Sequence, residues 1–200
     1  MNKIEELKMS QKLSLPTISG LEIKQATWLA KKYIECHDWL ACSKEAMNDN
    51  LMQIEKTASA KRYLSYTIKL LKELTSEELL SFNSSGVEMK KAFMWLAFCR
   101  TYPLVGKFAS SVINQKFSSH DFSLSFGDWN EFLSRESLEH HEIEDIGKSS
   151  RIKAQSVLFG NLRSVGYLSS SNELKEATLS KEMLSLIGHD IHYYPVLMEH

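Results

Sequence analysis

Two stretches of the chain place cations at helical spacing. Within residues 58–74, Arg62, Ser65, Lys69 and Lys72 fall at i, i+3, i+7 and i+10, on one side of a helix, with Lys61 beside them. Within residues 148–165, Ser149, Lys153, Ser156, Gly160 and Arg163 form a second strip, preceded by Lys148 and accompanied by Arg151. Neither strip holds an acid. Long cations interleaved with small side chains suit a sugar–phosphate wall, because the cations meet phosphate charge while small residues allow close approach. Ordinary solvated helix faces can carry the same pattern.

Other groupings offer less chemistry. Cys36-His37-Asp38 has the residue types of a nucleophile, a base and an orienting acid, but such triads converge from distant positions rather than from chain neighbours. His140, His141 and Asp145 fall short of the converging ligand set a metal needs, and a solvated turn accounts for them. His189 and His192 lie near the chain end and read as surface or tail packing. The sequence contains no GxxxxGK[ST] phosphate loop and no GxGxxG, GxSxG or HExxH motif. The expectation is a protein without catalytic residues, metal or cofactor.

The net charge of −1 conceals an uneven distribution. Residues 53–117 hold ten basic and five acidic residues, a net of +5. Residues 118–147 hold one and eight, a net of −7, and residues 148–166 hold four and none, +4. Positive blocks on a near-neutral chain can attract a polyanion locally. The three cysteines form no close CxxC pair, which fits a reducing compartment and argues against a disulfide framework. The apolar run at residues 92–99 is too short to cross a bilayer, and the first residues have no signal-peptide core. A cytoplasmic protein with no membrane association is expected.

These strips need elements to hold them. The central stretch is residues 92–108, AFMWLAFCRTYPLVGKF. It is apolar on every side from Phe93 to Cys99, so a helix there must be covered all round. Pro103 lacks an N–H and disfavours helical backbone at Tyr102, so one helix should stop near Thr101 and another begin at Pro103. Ahead of this pair, helices are expected at residues 21–36, 39–47 and 58–74, the last capped by Thr57, with a further short one from Ser76. In the third, Ala60, Leu64, Ile68 and Leu71 form the apolar stripe opposite the cations. A short middle helix before a basic third one is the outline of a helix-turn-helix, whose last helix the major groove admits. The connection from Met47 to Thr57 is longer than a tight turn.

Behind the central pair, Trp129, Phe132 and Leu133 should face inward from a helix in the acidic block. Ile152, Phe159 and Leu162 should form the apolar side of the helix at residues 148–165, which Gly166 ends. Residues 167–168 and 177–179 are expected to pair as a small hairpin. Helix, glycine, hairpin is the order of a winged helix. The fold class is therefore mainly α: a compact helical protein with two helix-turn-helix-like modules packed on a central buried helix pair, and at most one small wing hairpin. The units are residues 20–84, 85–118 and 119–190, with tails at 1–19 and 191–200.

Three patches carry a family likeness: residues 92–108, the DWNEFL of residues 128–133, and the LFGNLRSVGYL of residues 158–168. Together they resemble the BrxA family of bacterial phage-exclusion (BREX) defence systems, over about residues 20–188. The resemblance implies a small helical protein that binds double-stranded DNA. It also implies partner proteins of the same system, among them a methyltransferase and an ATPase. It supplies no catalytic motif. Two functions follow: a DNA-binding accessory protein acting through phosphate contacts from Lys61, Arg62, Ser65, Lys69, Lys72, Lys148, Ser149, Arg151, Lys153 and Arg163, or a non-catalytic adaptor that holds defence subunits through its acidic block.

Overall fold

The computed structural model describes residues 14–196. The helices are α1 (Ile23–Cys36), α2 (Trp39–Asn48), α3 (Thr57–Leu71), α4 (Ser76–Ser84), α5 (Val87–Thr101), α6 (Pro103–Phe108), α7 (Asn114–Ser118), α8 (Phe126–Glu136), α9 (Lys148–Ser164) and α10 (Lys181–Ile187). A π turn, Ala109–Ile113, joins α6 to α7, and 3-10 turns occupy His141–Ile143 and Gly188–Tyr193.

Helix α5 is the axis of the molecule. Every residue from Ala92 to Cys99 is buried. Helices α1, α3 and α4 pack against it, as does the C-terminal 3-10 turn. It ends where the proline predicts. Tyr102 is extended (φ −123°, ψ 91°) and Pro103 opens α6. Trp95 is fully buried, with its ring edge-on to Tyr167 and its Nε1–H donated to the Tyr193 carbonyl at 2.8 Å.

That last bond belongs to a segment expected to be tail. Tyr194 and Pro195 are instead buried, and the segment around them packs against the rest of the fold. Tyr194 is fully buried, its hydroxyl donates to the Ala92 carbonyl at 3.0 Å, and its own carbonyl accepts from Asn114 Nδ2 at 2.9 Å. Aromatic rings this large are driven inside, and here the polar atoms of Trp95 and Tyr194 both find backbone partners. The other expected tail is corrected in the same way at residues 14–19, where Leu15 and Pro16 are buried. Residues 1–13 and 197–200 of the expected tails lie outside the described residues.

The helix ends differ from expectation for local reasons. Helix α1 starts at Ile23 rather than Leu21, because Gly20 (φ 93°) and Glu22 (φ 43°) have left-handed backbone. Thr57 is the first residue of α3, not its cap, and Lys56 precedes it without a side-chain bond. Helix α3 ends at Leu71 because Thr75 must begin the next helix: its hydroxyl accepts from Glu78 N–H while Glu78 reaches back to Thr75 N–H. The wing hairpin reduces to one antiparallel bridge, Leu168 with Leu174, beside a second between Ser123 and Glu173. Residues 177–179 do not pair with 167–168, since the Ala177 N–H is taken by the Pro195 carbonyl at 2.9 Å.

One ion cluster closes the structure over α5. Arg100 donates to both carboxylate oxygens of Glu78 at 2.6 and 2.8 Å, to Asp190 at 2.7 Å and to the Glu73 carbonyl at 2.9 Å. It thereby ties α4, the end of α3 and the C-terminal turn to α5. Burial alone would raise the Glu78 carboxyl, but the bonds from Arg100 and Thr75 outweigh it and hold the group below its usual 4.5. A carboxylate with a depressed value in the fold adds stability above its unfolded value, and that stability is lost as pH falls through the folded value.

Trp95→Ala should cost about 3–5 kcal/mol, read as a fall in melting temperature, because a buried ring and its bond to Tyr193 are lost together. Glu78→Gln should lower stability at neutral pH and flatten the loss of stability below about pH 4.5 in acid melts.

Candidate nucleic-acid interface

Helix α3 sorts its side chains as its sequence spacing requires. Ala60, Leu64, Ile68 and Leu71 are buried, while Lys61, Arg62, Ser65, Lys69 and Lys72 are exposed. No acid lies on that face. Lys69 sits 5.0 Å from the Tyr102 ring, which steadies it without neutralising it.

Helix α2 completes the surface. It packs beside α3 and leaves a groove with two adjoining hollows of about 490 and 370 Å³, which share Ser43 and Ser65. Lys44 and Lys61 line the first; Lys69 and Lys72 line the second. No carboxylate lines either one. Glu45, the acid next to Lys44 in sequence, is paired with Lys32 of α1 instead. Trp39 forms part of the wall, stacked on Tyr33 at 4.0 Å, and Leu40 beside it is 63% exposed. Asp38 caps α2 through Leu40 N–H at 2.7 Å and Ala41 N–H at 3.2 Å, so its carboxylate is committed to holding this wall. The connection from α2 to α3 is longer than a tight turn, yet it is ordered by Leu51 N–H to the Ala46 carbonyl and by the buried Met52. Lys44 is absent from the sequence-based set. Nothing on α2 alone marks it, and only the packing of α2 on α3 brings it to Lys61.

Helix α9 exposes the expected strip: Ser149, Lys153, Ser156, Gly160 and Arg163 are all at the surface, and Phe159 and Leu162 are buried. Ile152, expected on the apolar side, is 53% exposed and borders the strip instead. Its place on the buried side is taken by Ala154, Val157, Leu158 and Asn161. The cations of α9 differ in their freedom. Arg151 is turned back onto the preceding connection, donating to the carbonyls of Ile146 at 2.9 Å, Ile143 at 2.6 Å and Glu144 at 3.3 Å. Arg163 donates to Asn172 Oδ1 and lies 6.0 Å from the Phe159 ring. Lys148 is the first residue of the helix, exposed, with no acid in that turn. Among the described residues, Lys148 and Lys153 form no ion pair.

The two basic helices share an interior rather than a groove. Asn161 of α9 accepts from Gly20 N–H at 3.2 Å and lies beside the Tyr66 hydroxyl of α3. The hollows on α3 are closed by α2, not by α9.

The acidic block divides. Lys107 pairs with Glu136 at 2.7 Å and lies 3.9 Å from Glu139, while Lys116 pairs with Asp121 at 2.6 Å and lies 3.4 Å from Asp128. Burial would raise Asp128, but bonds from Ser125 and the Lys116 ammonium hold it below the usual range. Glu142, Glu144 and Asp145 remain exposed in the connection that leads into α9. Asp190 belongs to the Arg100 cluster, and His189 and His192 sit in the C-terminal 3-10 turn. No helix among the described residues is long and apolar enough to cross a membrane.

Fold and surface together define a mainly α protein built on a buried central helix, with a carboxylate-free groove of lysines along its N-terminal helices. The chain belongs to the BrxA family of bacterial phage-exclusion (BREX) defence systems; the BrxA family model matches residues 19–190. Its fold is similar to the crystal structure of an uncharacterized protein from Magnetospirillum magneticum, with a TM-score of 0.68 and 17% identity over 88% of this chain and 91% of that one. No curated protein matches the chain.

Arg151→Ala should lower stability by about 1–3 kcal/mol, because three carbonyls lose a charged donor, whereas Lys153→Ala should leave the melt unchanged. Differential scanning calorimetry of the two variants checks this.

Proposed function

We propose that the protein is a double-stranded DNA-binding accessory component of a BREX system, without chemistry of its own. The observation that carries this reading is the α2–α3 groove. Lys44, Lys61, Lys69 and Lys72 converge there with Arg62 close by, and no acid lines it. A helix face of this kind fits the major groove, with its cations meeting the phosphates on either side. Ser43 and Ser65 supply hydroxyl donors between the cations. Lys148, Ser149 and Lys153 of α9 add a second, smaller set of contacts, and Arg163 can join once it releases Asn172. Arg151 contributes by fixing the start of α9 rather than by meeting phosphate. Residues 20–84 then act as the principal helix-turn-helix-like module and residues 119–190 as the lesser one. This work is placed in the cytoplasm, alongside other proteins of the system such as its methyltransferase and ATPase.

A second reading is an adaptor that holds defence subunits together. One observation favours it: Leu138 is 76% exposed within the acidic segment of residues 118–147. An apolar knob in acidic surroundings suits a basic protein surface and repels DNA.

Duplex affinity measured against salt separates the two. Phosphate contact through about four to six cations gives a log–log slope of roughly −4 to −5, with little dependence on DNA sequence. Changing Lys61, Arg62, Lys69 and Lys72 together to Glu should abolish binding without shifting the melt, and Lys153→Glu should weaken it by a smaller factor. A flat salt response would remove the DNA reading and leave the adaptor; full affinity in the fourfold variant would remove the α2–α3 groove as the binding site.

A further inference from the structure

The corner between α1 and α2 holds a pair of thiols in contact, one in the core and one at the surface. Cys36 is the last residue of α1 and is exposed; Cys42, one turn into α2, is buried. Their sulfurs face each other at 3.5 Å. The two-residue link between the helices keeps them there. His37 has left-handed backbone (φ 52°) and donates its N–H to the Tyr33 carbonyl at 2.7 Å, Asp38 caps α2, and Trp39 stacks on Tyr33. The Cys36 Sγ is also 3.6 Å from the Asp38 carbonyl. Two cysteines six residues apart are thus in van der Waals contact inside a rigid corner, one open to solvent and one behind it. A disulfide needs the sulfurs to close to about 2.05 Å, a small movement from contact.

We infer that Cys36 and Cys42 form a reversible dithiol–disulfide site, which a hydroperoxide oxidises and a dithiol reductant reopens. The exposed Cys36 begins the reaction. Its thiolate attacks a peroxide oxygen, an S–O bond forms, the O–O bond breaks, and the alcohol or water fragment leaves with the thiol's proton. The Cys42 sulfur then attacks the Cys36 sulfenic sulfur; the S–S bond forms, the S–O bond breaks, and water departs with the Cys42 proton. Two thiols and one hydroperoxide become one disulfide, one alcohol (or water) and one water, a two-electron exchange. Burial, reinforced by the S–H bond that Cys42 shares with Cys36, raises the Cys42 thiol, so it waits protonated behind its partner rather than competing for the oxidant. Cys99 takes no part, being fully enclosed in α5. The staple would span the corner that carries Trp39 and Leu40, and so fix one wall of the α2–α3 groove. The thiol chemistry itself does not depend on what the groove binds.

The test treats the reduced full-length protein with hydrogen peroxide, then denatures it, blocks free thiols with N-ethylmaleimide and measures intact and peptide masses. The expected product is a monomer lighter by about 2 Da, a hydrogen lost from each sulfur, with a Cys36–Cys42 linked peptide and the blocking group on Cys99 alone. Dithiothreitol should restore three blocked cysteines. Cys99→Ala should close like the parent, while Cys36→Ser and Cys42→Ala should not close. Because Cys42 is buried, the exposed Cys36→Ser carries the control, with an unchanged melt showing it folded. A product with sulfinic acid on Cys36 and a free Cys42, or a dimer linked through Cys36, would overturn the inference.

Discussion

The structure depends on covering a helix that has no polar side. Residues 92–99 of α5 must lose water on every face, and no single neighbour can do this. Helices α1, α3 and α4 take part of the surface, and the C-terminal segment supplies what remains. The interior is accordingly one continuous cluster that runs from Leu15 to Tyr194 rather than a set of separate cores. Burying Trp95 and Tyr194 brings polar atoms inside with them. Their bonds to the Tyr193 and Ala92 carbonyls meet that cost and also fix the register of the last segment on α5.

The Arg100 cluster acts at the C-terminal end of α5, just past the apolar run. Glu78, Asp190 and the Glu73 carbonyl arrive from three elements, and the guanidinium satisfies them together in a partly enclosed cleft of about 510 Å³. The planar guanidinium does this with a fixed fork that meets both Glu78 oxygens at once, a geometry that the point charge of an ammonium does not offer. Every donor of Arg100 that points inward is therefore committed to the fold.

The same economy shapes the surface. Acids that could oppose a polyanion are drawn into internal tasks: Asp128 caps α8, Glu136 and Asp121 pair with Lys107 and Lys116, and Glu45 pairs with Lys32. What remains along α2 and α3 is basic. Along α9, Arg151 is turned onto backbone carbonyls, Arg163 is held at the surface by Asn172, and acids stay exposed just ahead of the helix. Two strips that look equivalent as sequence thus differ in how many of their cations are engaged by other groups of the fold.

The sequence by itself determined the features that depend on near neighbours. The break at Pro103, the buried stripe of α3 and its opposing cations, and the inward Trp129, Phe132 and Leu133 all follow from spacing and from a missing N–H, and each is found where expected. The BrxA family was legible in the ordered apolar patches for the same reason. Tertiary structure decided what depends on remote partners. Lys44 becomes part of the groove because α2 lies on α3, Arg151 turns from the surface to three carbonyls, and Tyr194 becomes core rather than tail. A side chain's periodicity shows which way it points from its own helix. Whether it meets solvent, a carbonyl or another cation is settled by elements up to about a hundred residues away, whose packing is driven by burial that carries no local signature.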